Sequence, residues 1–175
     1  LQHHMVNSLG WKTLRPLQEQ AIDPILGGED VLLIAPTASG KTEAAVFPVL
    51  SRMLAERWAG LSVLYMCPLK ALLNSLAIRL QGYSRLIWRR VEVWLGDVEA
   101  SQRARIGREP PDLLLATPES LEVMLVSRRL EHRRFFANLR AVIIDELHAF
   151  AGDDRGWHLL AVLARIAHLA GQDIQ

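Results

Sequence analysis

The sequence predicts an α/β fold, a parallel sheet with helices on both faces, and three observations predict it. Short, nearly continuous apolar runs recur along the chain, as strands buried on both faces require. Helical stretches lie between them, and such β-α-β alternation is the pattern of a doubly wound sheet. The polar residues that carry chemistry fall just after the apolar runs, at the carboxyl ends of the expected strands, where sheets of this kind bind ligands.

Strands are expected at residues 31–35, 62–67, 91–95, 112–116 and 141–145, each rich in Val, Ile and Leu. Helices are expected between them. The first covers 16–26 and stops at Gly27-Gly28, a helix-ending pair. The second starts near Lys41 and reaches about Trp58, with Pro48 predicting a kink or an early break. The third covers 69–87. A fourth follows Thr117-Pro118-Glu119, where Thr117 caps, Pro118 suits the first turn and Glu119 favours the positive helix end. The last covers 156–170. His3-His4 reads as native helix rather than a tag remnant, because apolar positions continue into Val6 and Leu9.

Bulk properties narrow the classes. A length of 175 residues suits one domain, and 50% hydrophobic residues supply a core. With 22% charged residues the chain is neither disordered nor fibrous. A net charge of +1 gives no global attraction for nucleic acid, so any such binding depends on local patches. Cys67 is the single cysteine, which rules out an internal disulfide and fits a cytoplasmic protein. No apolar run has membrane-spanning length, no signal peptide is visible at the start, and no internal repeat is found.

Residues 35–42, Ala-Pro-Thr-Ala-Ser-Gly-Lys-Thr, follow an expected strand and open a helix. That is the setting of a phosphate-binding loop. Pro36, Thr37, Ala38, Ser39 and Gly40 form the loop, and N–H groups there and at the helix start face phosphate. Lys41 is placed for the β- and γ-phosphates, and Thr42 offers a hydroxyl to magnesium. Ala35 stands where the strict pattern has Gly. Residues 140–148 form an apolar strand ending in Asp145-Glu146-Leu147-His148. Asp145 is expected to hold Mg2+, directly or through water, and Glu146 to take a proton from the attacking water. His148 either links this site to a neighbouring motif or begins a polar turn. Upstream, Gln18 carries a donor and an acceptor on one amide and can pair with adenine N6 and N7; alone it is an ordinary helix-surface residue, and its place before the strand and loop gives it meaning.

Together, Gln18, the loop 35–42, Pro68-Leu69-Lys70-Ala71-Leu72, Thr117-Pro118-Glu119-Ser120-Leu121 and Asp145-Glu146-Leu147-His148 resemble the first RecA-like domain of superfamily 2 helicases, of DEAD/DEAH type. Within that superfamily the chain is most similar to the Lhr (large helicase-related) group. The carriers are Gly-Lys-Thr-Glu-Ala-Ala at 40–45, Pro-Leu-Lys-Ala-Leu at 68–72, Gly96-Asp97, and the tail at 145–156. Asp-Glu-Leu-His departs from a strict DEAD box, and Ala38 stands where many relatives have Gly. The resemblance implies an ATP- and Mg2+-dependent helicase motor acting on single-stranded or duplex DNA or RNA, with a tie to DNA repair. It implies strand contacts from Pro68, Lys70, Gly96, Asp97, Thr117 and Pro118, without sequence readout. It also implies that 1–175 is the first motor domain of a longer chain. The family's Ser-Ala-Thr motif and second RecA-like domain would follow.

The arginine clusters Arg89-Arg90, Arg103/Arg105/Arg108, Arg128-Arg129 and Arg133-Arg134 read as solvated helix faces. The tryptophans read as core or domain-interface residues, with Trp11 a candidate neighbour of the adenine. Two other classes compete. Another P-loop NTPase is disfavoured because neither Asn-Lys-x-Asp nor Leu-Ser-Gly-Gly-Gln occurs, and a non-catalytic assembly module because Lys41, Thr42, Asp145 and Glu146 are all retained.

Overall fold

The computed structural model describes residues 13–96, 98–152 and 154–175. Trp11, Asp97 and the expected helical start with His3-His4 lie outside the described residues. The chain divides into two compact units, one ending at Trp58 and rejoined by Gln175, the other Ala59–Ile174.

In the first unit, α1 (Pro16–Gly27) packs on α2 (Lys41–Ala55). Pro16 sits in the first turn, where its missing N–H costs nothing. Gly28 ends α1 at φ 85, a left-handed conformation that glycine adopts without strain. Pro48 does not break α2, which continues to Ala55. Proline removes a single ladder bond, and Pro48 lies among buried Phe47, Val49 and Leu50, whose packing holds the helix through that loss. Beyond the helix, the Trp58 indole donates to Glu56 Oε2 at 2.8 Å, and Arg52 lies 5.2 Å from its ring centroid.

The expected strand at 31–35 is absent from the described ladders. The segment has no regular secondary structure, and Leu32 and Ile34 are 67% and 82% exposed. Its composition suits a buried strand, but strand hydrogen bonds come from a neighbour, and composition does not supply one.

The second unit holds a four-stranded sheet of order β2-β3-β1-β4. Its strands are β1 (Val63–Met66), β2 (Val91–Trp94), β3 (Leu113–Ala116) and β4 (Ala141–Ile144), and every pairing is parallel. The helices are α3 (Lys70–Arg85), α4 (Ala100–Arg108), α5 (Pro118–Val126), α6 (His132–Phe136) and α7 (Asp154–Ala170), with a 3-10 turn at Leu147–Phe150. Leu64, Met66, Leu114 and Ala116 share one core with Leu121, Met124, Phe136, Phe150 and Val162. Their alternates Val63, Tyr65, Leu113 and Leu115 are buried outside that cluster, as the period of two demands. The buried Leu73, Leu76 and Leu80 of α3, which packs along β2 and β3, are likewise outside it. Helices therefore cover both faces. None of the described helices is long and apolar enough to cross a membrane.

Candidate functional site

The register brings the carboxyl ends of all four strands to one edge, since Ala116 pairs with both Trp94 and Met66, and Met66 with Ile144. Chain leaving that edge carries, in spatial order, Gly96, then Thr117-Pro118, then Pro68 to Lys70, then Asp145-Glu146. At roughly 4.8 Å per strand, the row spans about 14 Å.

At the β4 end, Asp145 is held on both oxygens. Tyr65 Oη donates to Oδ2 at 2.8 Å, and the Glu146 N–H donates to Oδ1 at 2.9 Å. Tyr65 lies in mid-strand on β1 and is almost fully buried, so it reads in sequence as an ordinary core residue. Nothing in the sequence marked it. Glu146 occupies the left-handed region at φ 50, costly for a residue with a Cβ, and starts the 3-10 turn. His148 Nδ1 lies 3.4 Å from Glu146 Oε2, so its contact is with the acidic pair itself rather than a distant motif. Burial pushes the nearby Cys67 thiol up, and the charges of Asp145 and Glu146 push it the same way.

In the first unit, the phosphate-loop candidate is drawn around Lys41. Its ammonium donates to the carbonyls of Ala35 at 2.7 Å and Pro36 at 3.0 Å. Arg15, unmarked by the sequence, donates to the Ala38 carbonyl. Gly40 at φ 88 is the N-cap of α2 and offers no side-chain cap. The Ser39 hydroxyl is buried without a hydrogen-bond partner. A helix start without a side-chain cap, a hydroxyl without a partner among the described residues and an ammonium held by two carbonyls fit a phosphate group. Ala38 also sits in the left-handed region at φ 60, so the departure from Gly falls where the backbone favours Gly. Thr42 is half-buried in the first turn of α2, while Pro36 and Thr37 are exposed.

For magnesium, the described residues hold no cluster of three or more His, Cys, Asp or Glu side chains. Asp145, anchored and half-buried, offers one carboxylate.

Gln18 is buried, with its Oε1 accepting from the Arg15 N–H at 3.0 Å and its Nε2 3.5 Å from the Gly40 carbonyl. Both polar ends of the amide are thus engaged, and the weaker contact, to Gly40, is the one a base could displace.

The expected strand-contacting residues separate into two kinds. Lys70 and Gly96 are exposed. Pro68, Thr117 and Pro118 are buried. Thr117 is turned inward because its Oγ1 caps α5, accepting the Ser120 N–H at 3.2 Å. Glu119 is exposed just beyond. Of the arginines, Arg89 pairs with Asp112 at 2.9 Å and Arg105 with Glu92 at 2.7 Å, holding β2 to its neighbours. Trp58 and Trp94 are core, whereas Trp88 and Trp157 are exposed.

A parallel sheet covered on both faces, with its loops gathered at the carboxyl edge, defines a doubly wound α/β domain that binds ligands at that edge. The family model for DEAD/DEAH box helicases matches residues 15–175, and the chain belongs to that family. It is 39% identical over 169 residues to the Lhr helicase/probable uracil glycosylase of Mycolicibacterium smegmatis, covering 88% of this chain and 11% of the relative. It is 34% identical to the ATP-dependent helicase Lhr-Core of Methanothermobacter thermautotrophicus, covering 88% and 20%. Among solved structures, Mycobacterium smegmatis Lhr bound to single-stranded DNA and AMP-PNP superposes with TM-score 0.81 at 36% identity, over 93% of this chain and 22% of that one. The helicase MrfA bound to DNA superposes with TM-score 0.86 at 25% identity, over 99% and 25%. The chain thus spans a fifth or less of the length of these two curated relatives.

Proposed function

We propose that residues 1–175 form the first motor domain of an ATP-dependent superfamily 2 helicase, which hydrolyses ATP to move along or separate nucleic-acid strands. The observation that carries this reading is the loop before α2, with its uncapped helix start, orphan Ser39 hydroxyl and Lys41 ammonium. Bound ATP supplies the transferring phosphoryl group, and Mg2+ offsets its charge. Lys41 leaves its two carbonyl partners for phosphate oxygens, within a loop formed by Pro36, Thr37, Ala38, Ser39 and Gly40. Asp145 would hold the metal through its carboxylate, and Thr42, from its place in the motif, would offer a hydroxyl. Tyr65 keeps the Asp145 carboxylate in one orientation, and Glu146 accepts the proton of the attacking water. Gln18 turns its amide to adenine.

Nucleic acid lies along the edge marked by Gly96 and Lys70, with Asp97 next in sequence to Gly96, while Pro68, Thr117 and Pro118 set the backbone. Lys70 meets phosphate as a point charge, so binding is insensitive to sequence and weakened by salt. Single-stranded DNA is the favoured probe, because the Lhr and MrfA neighbours were solved with DNA. A second RecA-like domain supplies the arginines of the transition state, an increment of about 10³–10⁵ in rate in related phosphoryl-transfer enzymes. The site of action is the cytoplasm.

Competition of ATP and GTP for labelled ADP, with wild type and Gln18→Ala, tests the base assignment. A preference for ATP that Gln18→Ala weakens supports it, and a clear GTP preference overturns it.

A further inference from the structure

The tail at residues 145–156 contains an arginine that the reading above leaves without a role. Arg155 lies in the first turn of α7, half-buried. Its Nη2 donates to the Pro68 carbonyl at 2.9 Å and to Glu119 Oε1 at 3.1 Å. Its guanidinium lies 5.4 Å from the ring centroid of Phe150. One side chain therefore touches the segments that follow β1, β3 and β4. The next residue explains the approach: a Cβ on Gly156 would stand 2.4 Å from the Phe150 carbonyl oxygen, so glycine lets α7 start against the 3-10 turn.

An ordinary exposed ion pair contributes little. This one differs in that the same guanidinium also satisfies a carbonyl and rests on an aromatic face, which a planar, forked cation does better than an ammonium. Glu119 responds to it. Burial alone would raise its carboxyl, but its own N–H, the Thr117 hydroxyl and Arg155 outweigh that and hold it below the ordinary carboxylate range.

We propose that Arg155 is a positioning residue that fixes the Pro68-to-Lys70 and Thr117-to-Glu119 segments at the spacing that grips a nucleic-acid backbone, and ties that spacing to the turn after Asp145-Glu146. This rests on the strand path of the proposed function. Arg155 does not itself touch the strand. It holds Pro68 from behind, leaving Lys70 exposed two residues on, and it holds Glu119 at the start of α5.

The test measures two affinities on the full chain, for a short labelled oligo-dT at low salt and for labelled ADP with Mg2+, in wild type, Arg155→Met, Arg155→Lys and Lys70→Ala. Arg155→Met is expected to weaken oligo-dT binding about tenfold, the equivalent of ~1.4 kcal/mol, and to leave ADP binding within about twofold. Arg155→Lys keeps the charge and falls between; it also serves if the Met variant fails to fold. Oligo-dT affinity unchanged in Arg155→Lys and Arg155→Met, with Lys70→Ala weakened, overturns the role of Arg155 and leaves the strand path standing. Loss of both affinities together also overturns it, since that marks a general structural residue. No loss in Lys70→Ala overturns the strand path, and the inference with it.

Discussion

Replacing Tyr65 with Phe deletes one oxygen and leaves the ring, which is 1% exposed, in place. What is lost is the 2.8 Å donation to Asp145 Oδ2. Hydrogen bonds to charged acceptors contribute about 1.5–3 kcal/mol. Asp145 is only half-buried, so water replaces part of the bond, and the expected cost is about 1–2 kcal/mol. For a domain of this size, that lowers Tm by roughly 2–8 °C. The Asp145→Ala and Tyr65→Phe pair separates the bond from general packing, because thermal or urea melts of wild type, both singles and the double give the coupling directly. A coupling of about 1 kcal/mol is expected. The same Tyr65→Phe variant should weaken Mg2+-dependent ADP binding severalfold while leaving metal-free ADP binding unchanged. If the two substitutions add to within about 0.3 kcal/mol, the hydroxyl does not hold Asp145, and this part of the account is wrong.

Other perturbations follow from the same geometry. Ala38→Gly relieves a left-handed alanine at φ 60 and should raise stability by about 0.5–1 kcal/mol in a urea melt; a loss of stability would show that the loop is not held there. Gly156→Ala drives a Cβ into the Phe150 carbonyl and should cost about 1–3 kcal/mol, read as a lower Tm; an unchanged Tm would contradict that close approach. Glu119 has its pKa lowered in the folded state, so its stabilising contribution is present above the unfolded carboxylate's pKa and is lost as pH falls through the folded value. Tm measured from neutral to acid pH should therefore fall less steeply in Glu119→Gln than in wild type, and equal slopes would refute the assignment.

The sheet was legible because its strands are short, largely apolar runs bounded by polar stretches, and β1, β2, β3 and β4 all appear within a residue of the expected bounds. Residues 31–35 show the limit of that signal, since an equally apolar run finds no partner in the described ladders. The helix over 100–108 was missed because Ile106 is its single buried residue, which leaves almost no periodic stripe to read. Lys41, Asp145 and Glu146 were legible as a motif, since charged residues following apolar strands stand out. Their supports were not. Tyr65 looks like any buried aromatic, and Arg155 looks like any helix arginine, because what distinguishes them is a partner 80 or 87 positions away. Thr117 was legible as the cap of α5, and the structure adds that capping turns its hydroxyl inward.

The central claim is that the loop before α2 binds nucleotide phosphate through Lys41. Titrating labelled ADP with Mg2+ into wild type and Lys41→Ala tests it most directly. Losing a charged hydrogen-bonding group should weaken binding by about 10–100-fold, the equivalent of ~1.5–3 kcal/mol, with the melting profile of the nucleotide-free chain little changed. Equal affinity in the two proteins would contradict the account.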